Sequence, residues 1–231
     1  MIALVTGGSR GIGAACVRAL KDAGHTVAVV ARGKEAPECD LHIEANLTWS
    51  DRSDVVEAVV DGLGGLDILV NNAGSQHHAP LLDYQPSDWD YQISLMLTAP
   101  FILSREAARH MLAHGGGHIV NILSTSAFQG ARNISGYIAA KHGLLGLTRA
   151  MAIELAPTIR VNAIAPGLMD TGMTSSYIDL QRRELLESIT PAGRFGKPEE
   201  IADALLFLIG SSYIYGQTIV VDGGWCVKNA T

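Results

Sequence analysis

Charge is scarce in this chain. Asp, Glu, Lys and Arg make up 17% of its 231 residues, and the balance is acidic, 23 carboxylates against 17 Lys and Arg. A mildly acidic chain is a poor partner for nucleic acid or an anionic membrane, since both must have their phosphates neutralised. Cysteine is scarcer still. Cys16, Cys39 and Cys226 are odd in number and far apart, which excludes a disulfide framework and a CxxC metal site. No apolar run approaches the about 18–20 residues of a membrane span, and Met1 leads straight into a strand-like segment rather than a targeting sequence. The expectation is a cytoplasmic protein with a small-molecule substrate, no metal, and no nucleic-acid or membrane partner. A chain of this length can hide roughly 70–75% of its unfolded surface without staples.

What the chain has is alternation. Near-continuous apolar runs at Ile2–Val5, Thr26–Ala31, Leu41–Ala45, Leu66–Val70, His118–Leu123, Arg160–Ala165 and Thr218–Val221 read as strands covered on both faces. Helical stretches separate them: Ala14–Ala23, Asp54–Leu63, Asp88–Ala113 with an interruption near Pro100, Tyr137–Ala156 and Glu199–Ile209. This pattern predicts a parallel sheet with helices on both faces in one domain, residues 1–231. The join from Arg32 to Leu41 barely leaves room for a crossover helix. Met169–Arg194 breaks the rhythm and reads as a lid or binding loop.

The first strand runs into Thr6-Gly7-Gly8-Ser9-Arg10-Gly11-Ile12-Gly13 and then a helix. Glycines permit a tight turn, close approach of a pyrophosphate to the backbone and close packing of helix on strand. The helix N-terminus adds free N–H groups and a positive dipole end. A nicotinamide cofactor lacking the 2′-phosphate is usually met by a carboxylate at the end of the second strand. Here Ala31-Arg32-Gly33-Lys34 stands there instead, with Arg10 in the turn. Guanidinium groups favour a phosphate, so NADP(H) is expected ahead of NAD(H).

Tyr137 and Lys141 are four apart and share one helix face. A nearby ammonium is expected to lower the phenol's pKa and fit it for proton transfer to or from a carbonyl oxygen. Ser124, at the carboxyl end of the fifth strand, opens into the crevice where parallel sheets bind ligands, with Thr125 and Ser126 as rivals.

These motifs, with Asn71-Asn72-Ala73-Gly74, Pro166-Gly167-x3-Thr171 and Asp222-Gly223-Gly224 in order, resemble the short-chain dehydrogenases/reductases over nearly the whole chain. The resemblance implies a single Rossmann-type domain, a doubly wound parallel sheet of about seven strands, and direct hydride transfer between a nicotinamide cofactor and a carbonyl or secondary alcohol. It implies Tyr137 as acid/base, Lys141 as the group that lowers its pKa and binds the nicotinamide ribose, and Ser124 as the group polarising the carbonyl. Cofactor contacts are expected from Gly7, Ser9, Arg10, Gly11, Ile12, Gly13, Arg32, Asn46, Leu47, Asn72, Ala73, Gly74, Tyr137, Lys141, Pro166, Gly167, Met169 and Thr171. Substrate contacts are expected from Ser124, Ser126, Gln129 and Tyr137.

One departure stands out. Members usually carry an asparagine where this chain has Met96, and a thioether is a feeble acceptor that cannot donate. Ser94 sits on another helix face. The competing reading is therefore an NADP(H)-binding sensor or regulatory protein with impaired catalysis. Substrate phrases resemble both 3-oxoacyl reductases and sugar-acid dehydrogenases. Gln76, His77, His78, Gln129 and Arg132 are candidate lining residues, and Arg132 could pair with a substrate carboxylate. The apolar late helix and Trp225-Cys226-Val227 suggest a subunit interface, and the resemblance implies a homotetramer or homodimer.

Overall fold

The computed structural model describes residues 1–33, 36–48 and 50–227. Seven strands form where the β-branched and aliphatic runs lie: β1 (Ile2–Thr6), β2 (Thr26–Ala31), β3 (Leu41–Glu44), β4 (Ile68–Asn71), β5 (Gly117–Ile122), β6 (Ile159–Pro166) and β7 (Thr218–Val221). All pair in parallel, in the order β3-β2-β1-β4-β5-β6-β7. The order reverses beside β1, so the loops leaving β1 and β4 part and open a crevice at the carboxyl ends of the strands.

The helices are α1 (Gly11–Asp22), α2 (Asp54–Leu63), α3 (Pro86–Ile93), α4 (Ala99–Ala113), α5 (Ser135–Leu155), α6 (Gly172–Ser175), α7 (Leu180–Ser188) and α8 (Pro198–Gly210). Strand side chains alternate between two cores. Leu4, Ala28, Val30, Leu69 and Ile119 pack under Val55 and Val59 of α2, Leu103 and Met111 of α4, and Ala140 of α5. Val5, Val27, Val29, Ile68 and Val120 pack under Cys16 and Leu20 of α1 and Ile201, Leu205 and Leu208 of α8. Each fully buried aliphatic side chain contributes about 1.5–3 kcal/mol. Covering both faces is what makes the strands uniformly apolar in sequence. Among the described residues no helix is long and apolar enough to cross a membrane.

Two expectations change in detail. The long helix expected over residues 88–113 is interrupted ahead of Pro100, by a π turn at Ser94–Thr98 in which the Ala99 N–H bonds the Ser94 carbonyl. Pro100 itself lies in the first turn of α4. Lacking an N–H, it cannot supply the bond that the carbonyl four residues back, at Met96, would take in a regular helix. The second change concerns the segment after β6, expected as an irregular lid or binding loop, which contains two helices, α6 and α7.

Candidate active site

The site begins with one threonine. Thr6, the last residue of β1, is buried, and its Oγ1 accepts from the backbone N–H groups of both Asn72 and Ala73 at 2.9 Å. Asn72 Nδ2 answers by donating to the carbonyls of Thr6 at 2.9 Å and Gly7 at 3.2 Å. The turn after β1 and the turn after β4 are thereby latched together across the switch point. A methyl group on Gly13 would stand 2.2 Å from the Gly7 carbonyl oxygen, which is why this position has none. Gly7 and Gly11 adopt positive φ of 64° and 55°, a region that favours glycine.

The latch leaves the start of α1 open. Arg10 occupies the N-cap with extended backbone, no side chain caps the helix, and no acidic residue lies in its first turn. An uncapped N-terminus has N–H donors to offer an anion. Thr171 lies over this turn, 3.5 Å from where a side chain on Gly11 would begin. Its own hydroxyl accepts from Thr174 N–H and starts α6. These features fit the diphosphate of a dinucleotide.

The adenosine end is more open. Ser9, Arg10, Arg32 and Gly33 are exposed, and Arg32 Nη1 donates to the Tyr91 hydroxyl at 3.0 Å. Lys34 lies outside the described residues. Asn46 turns its Oδ1 onto the N–H and hydroxyl of Thr48, at 3.1 and 2.9 Å, and Leu47 is buried in the core below. The Leu47 side chain is thus part of the core rather than of the cofactor surface expected for it. Met169 is likewise buried, its sulfur against Gly196, where the backbone makes an isolated bridge. Gly167 packs on Asp222, with no room for a Cβ, and Ile12 leans on the α1–α8 core.

Tyr137, Lys141 and Ser124 come together at the other end. Ser124 follows β5 in an extended conformation and accepts from Ser126 N–H at 3.1 Å. Its hydroxyl lies close enough to the Tyr137 phenol to favour ionisation of that phenol. Thr125 is buried in the short turn that follows, so among the three hydroxyl residues it is Ser124 that meets the tyrosine. Lys141, one turn along α5, is buried and donates to the Ile122 carbonyl at 2.7 Å, its Nζ 5.6 Å from the Tyr137 ring centre. Beneath lies a buried polar ladder. Asn71 donates to Asn121 at 2.8 Å and to Ser104 at 3.0 Å, and Asn121 donates to Thr148 at 2.9 Å. It ties β4, β5, α4 and α5 to one register under the site, and no motif spacing announced it.

The titration of this pair corrects the sequence expectation. Burial pushes the Tyr137 phenol up to about 12, against the lowering effect of Ser124 and helped by the nearby Tyr177. Burial also pushes Lys141 down to about 8. Desolvation opposes the charged form of each group, and here it outweighs the attraction expected from the lysine. At neutral pH the phenol holds its proton and the amine is charged.

Met96 is fully buried in the π turn, packed beside Gly74. Ser94 is committed elsewhere, accepting from Arg52 Nη2 at 2.6 Å and donating to the Thr48 carbonyl at 3.3 Å. His77 and His78 diverge. His77 pairs with Asp88 at 3.3 Å and meets Tyr84 edge-on, whereas His78 lies against the Tyr177 ring at 4.8 Å. Gln129 and Arg132 are exposed on the loop before α5. Tyr177 falls within the Met169–Arg194 stretch expected to line the site, though nothing in the sequence singled it out. Its position depends on the fold of the lid, which no local pattern reveals.

A family model described as enoyl-(acyl carrier protein) reductase matches residues 7–226. A 3-oxoacyl-(acyl-carrier-protein) reductase of Thermotoga maritima is 38% identical over 96% of both chains. A 2-dehydro-3-deoxy-D-gluconate 5-dehydrogenase of Escherichia coli is 43% identical over 75% of this chain and 71% of its own. A Beutenbergia cavernae structure, provisionally named an NAD(P)-dependent gluconate 5-dehydrogenase and holding NADP at low occupancy, superposes with a TM-score of 0.91. It is 35% identical and covers 98% of this chain and 97% of its own.

Proposed function

The chain belongs to the short-chain dehydrogenase/reductase family and is an NAD(P)-dependent oxidoreductase, and on that premise we propose that Tyr137, Lys141 and Ser124 carry its interconversion of a carbonyl and a secondary alcohol. The observation that carries this reading is the meeting of the three side chains at the carboxyl end of β5, beside the uncapped start of α1. The substrate is a 3-oxoacyl-type ketone or a keto sugar acid, in keeping with the names of the relatives.

The bound cofactor supplies or accepts the hydride at its nicotinamide ring. In the reducing direction Ser124 donates to the substrate oxygen and holds it beside the phenol. Tyr137, protonated at neutral pH, passes its proton to that oxygen as the carbonyl carbon is reduced. The phenolate left behind is stabilised by the Lys141 ammonium until a solvent proton replaces the one given up. Lys141 uses one of its three donors on the Ile122 carbonyl, leaving two for ribose hydroxyls. In the oxidising direction the same atoms run in reverse.

An active enzyme is favoured over a cofactor-binding sensor by the π turn. Pro100 leaves the Met96 main-chain carbonyl without the helical donor it would otherwise have, and that carbonyl is a full acceptor for water where the thioether is a feeble one. NADP(H) is favoured over NAD(H) by exposed Arg10 and Arg32 and the lack of a carboxylate at Ala31-Arg32-Gly33. We also assign the chain to the cytoplasm as a homotetramer or homodimer, on the exposed Phe207, Tyr213 and Val220 around α8 and β7. A monomer in sedimentation at micromolar concentration removes the last assignment.

The test is the initial rate of NADPH loss, with NADH alongside, across ketones, 3-oxoacyl thioesters and keto sugar acids. Turnover that Tyr137→Phe abolishes, with NADPH binding retained, is the expected result. Binding of NADPH without consumption of any carbonyl overturns the reading in favour of the sensor.

A further inference from the structure

Three observations converge on the lid. The loop after Gly74 and the lid meet at the His78–Tyr177 ring contact of 4.8 Å. Tyr177 in turn lies close enough to Tyr137 to influence its proton, so this contact borders the space in front of the phenol. Arg182, in the first turn of α7, stands within electrostatic reach of both rings: its charge opposes protonation of His78 and favours ionisation of Tyr177.

The cations of the lid are committed differently. Arg183 is bound to Asp170 and Glu187 at 2.9 Å each, and Arg194 grips Glu200 at 2.7 Å. Among the described residues no carboxylate lies within ion-pair distance of the Arg182 guanidinium. The nearby Asp179 carboxylate caps α7 by accepting from the Arg182 backbone N–H at 2.7 Å. His78, lowered by burial and then by Arg182 and His77, is neutral at pH 7. Arg182 is therefore a positive charge beside this ring contact that no carboxylate among the described residues neutralises.

Resting on the oxidoreductase reading above, we propose that Arg182, carried by α7 beside the His78–Tyr177 contact, selects a substrate bearing a carboxylate, so that the substrate is a small keto or hydroxy acid rather than an acyl thioester. A guanidinium fork holds a carboxylate at two points. A lid-borne fork would draw α7 onto the substrate and place the acid's far end against Tyr137 and Ser124.

The experiment measures binding and discrimination together. With NADP at saturation, calorimetry gives the affinities for gluconate and for the neutral polyol glucitol. Steady-state rates compare a panel of keto acids with their methyl esters. Arg182→Ala is expected to weaken gluconate about tenfold, to raise KM for the acids more than it lowers kcat, and to erase the acid-over-ester preference. Arg182→Lys should recover part of the gluconate affinity, while Arg149→Ala on the exposed face of α5 should not alter the preference. The proposal is overturned by equal weakening of gluconate and glucitol, by a loss carried by Arg132→Ala instead, or by wild-type protein that binds none of the acids better than their neutral counterparts. Protein that reduces neutral ketones only would overturn it and leave the oxidoreductase reading standing. Protein that binds the acids through Arg182 yet consumes no NADPH would do the opposite.

Discussion

At one end of the crevice Tyr137 and Lys141 are packed closely enough for burial to move their titration to about 12 and about 8. At the other end Arg10 and Arg32 stand in solvent, with one hydrogen bond from Arg32 to Tyr91. The first end draws its chemistry from desolvation and from fixed partners: the Ile122 carbonyl, the Ser124 hydroxyl and the amide ladder below. The second end has only charge and reach, screened by water and salt. On the proposed reading, reaction type is written in the packed part of the molecule, and cofactor choice in side chains that packing scarcely constrains.

The largest break in this contrast should come from Tyr137→Phe. Removing a positioned proton donor costs roughly 10²–10⁴ in rate, and NADPH affinity, followed by fluorescence, should change little. A comparable loss of NADPH affinity would mean that the phenol holds the cofactor more than it transfers a proton. Next in size is the double change Arg10→Ala with Arg32→Ala. Two charge-assisted contacts of about 1.5–3 kcal/mol each predict NADPH binding at least tenfold weaker, with NADH affinity nearly constant. Equal losses for both cofactors would remove the 2′-phosphate from the argument.

The pH profile tests the packed end by itself. On the proposed mechanism, reduction needs a protonated Tyr137 and a charged Lys141. Tyr137 keeps its proton up to about 12, so the lysine titrates first. The value of kcat/KM for reduction should be level at neutral pH and fall about tenfold per unit above about 8. A break that persists unmoved in Lys141→Arg would exclude the lysine as its source. The smallest effect is reserved for Met96→Asn, which should change turnover by no more than about threefold if the main-chain carbonyl already does the accepting. A gain of a hundredfold in single-turnover rate would show the thioether to be a true defect.

The sheet was legible because its strands are apolar on both faces, and the observed ends fall within about two residues of the sequence reading. The glycine turn and the Tyr137–Lys141 face were legible for the same local reason: each is set by spacing along one element. The direction of the Tyr137 shift was not, because burial is a sum over neighbours from α5, the loop after β5 and the lid. Leu47 and Met169 were placed at the cofactor by position alone, yet their side chains point into the two cores. The Thr6 latch had a signal, a hydroxyl residue immediately before the paired glycines. The Asn71–Asn121–Thr148 ladder and the His78–Tyr177 ring contact depend on contacts between distant segments and leave no mark in any one of them.

The π turn at Ser94–Thr98 amounts to one residue more than a continuous helix needs. Deleting a residue there would remove the π turn but leave Pro100, which donates no N–H, inside the ladder running from α3 into α4. It would also turn α3 by about 100° relative to α4, carrying Gln92 off the Tyr84 hydroxyl, now 3.0 Å away, and Ser94 off Arg52. An alignment gap at this point is therefore not neutral. In this chain the extra residue sets the rotation of α3 against α4 and so holds both contacts in place.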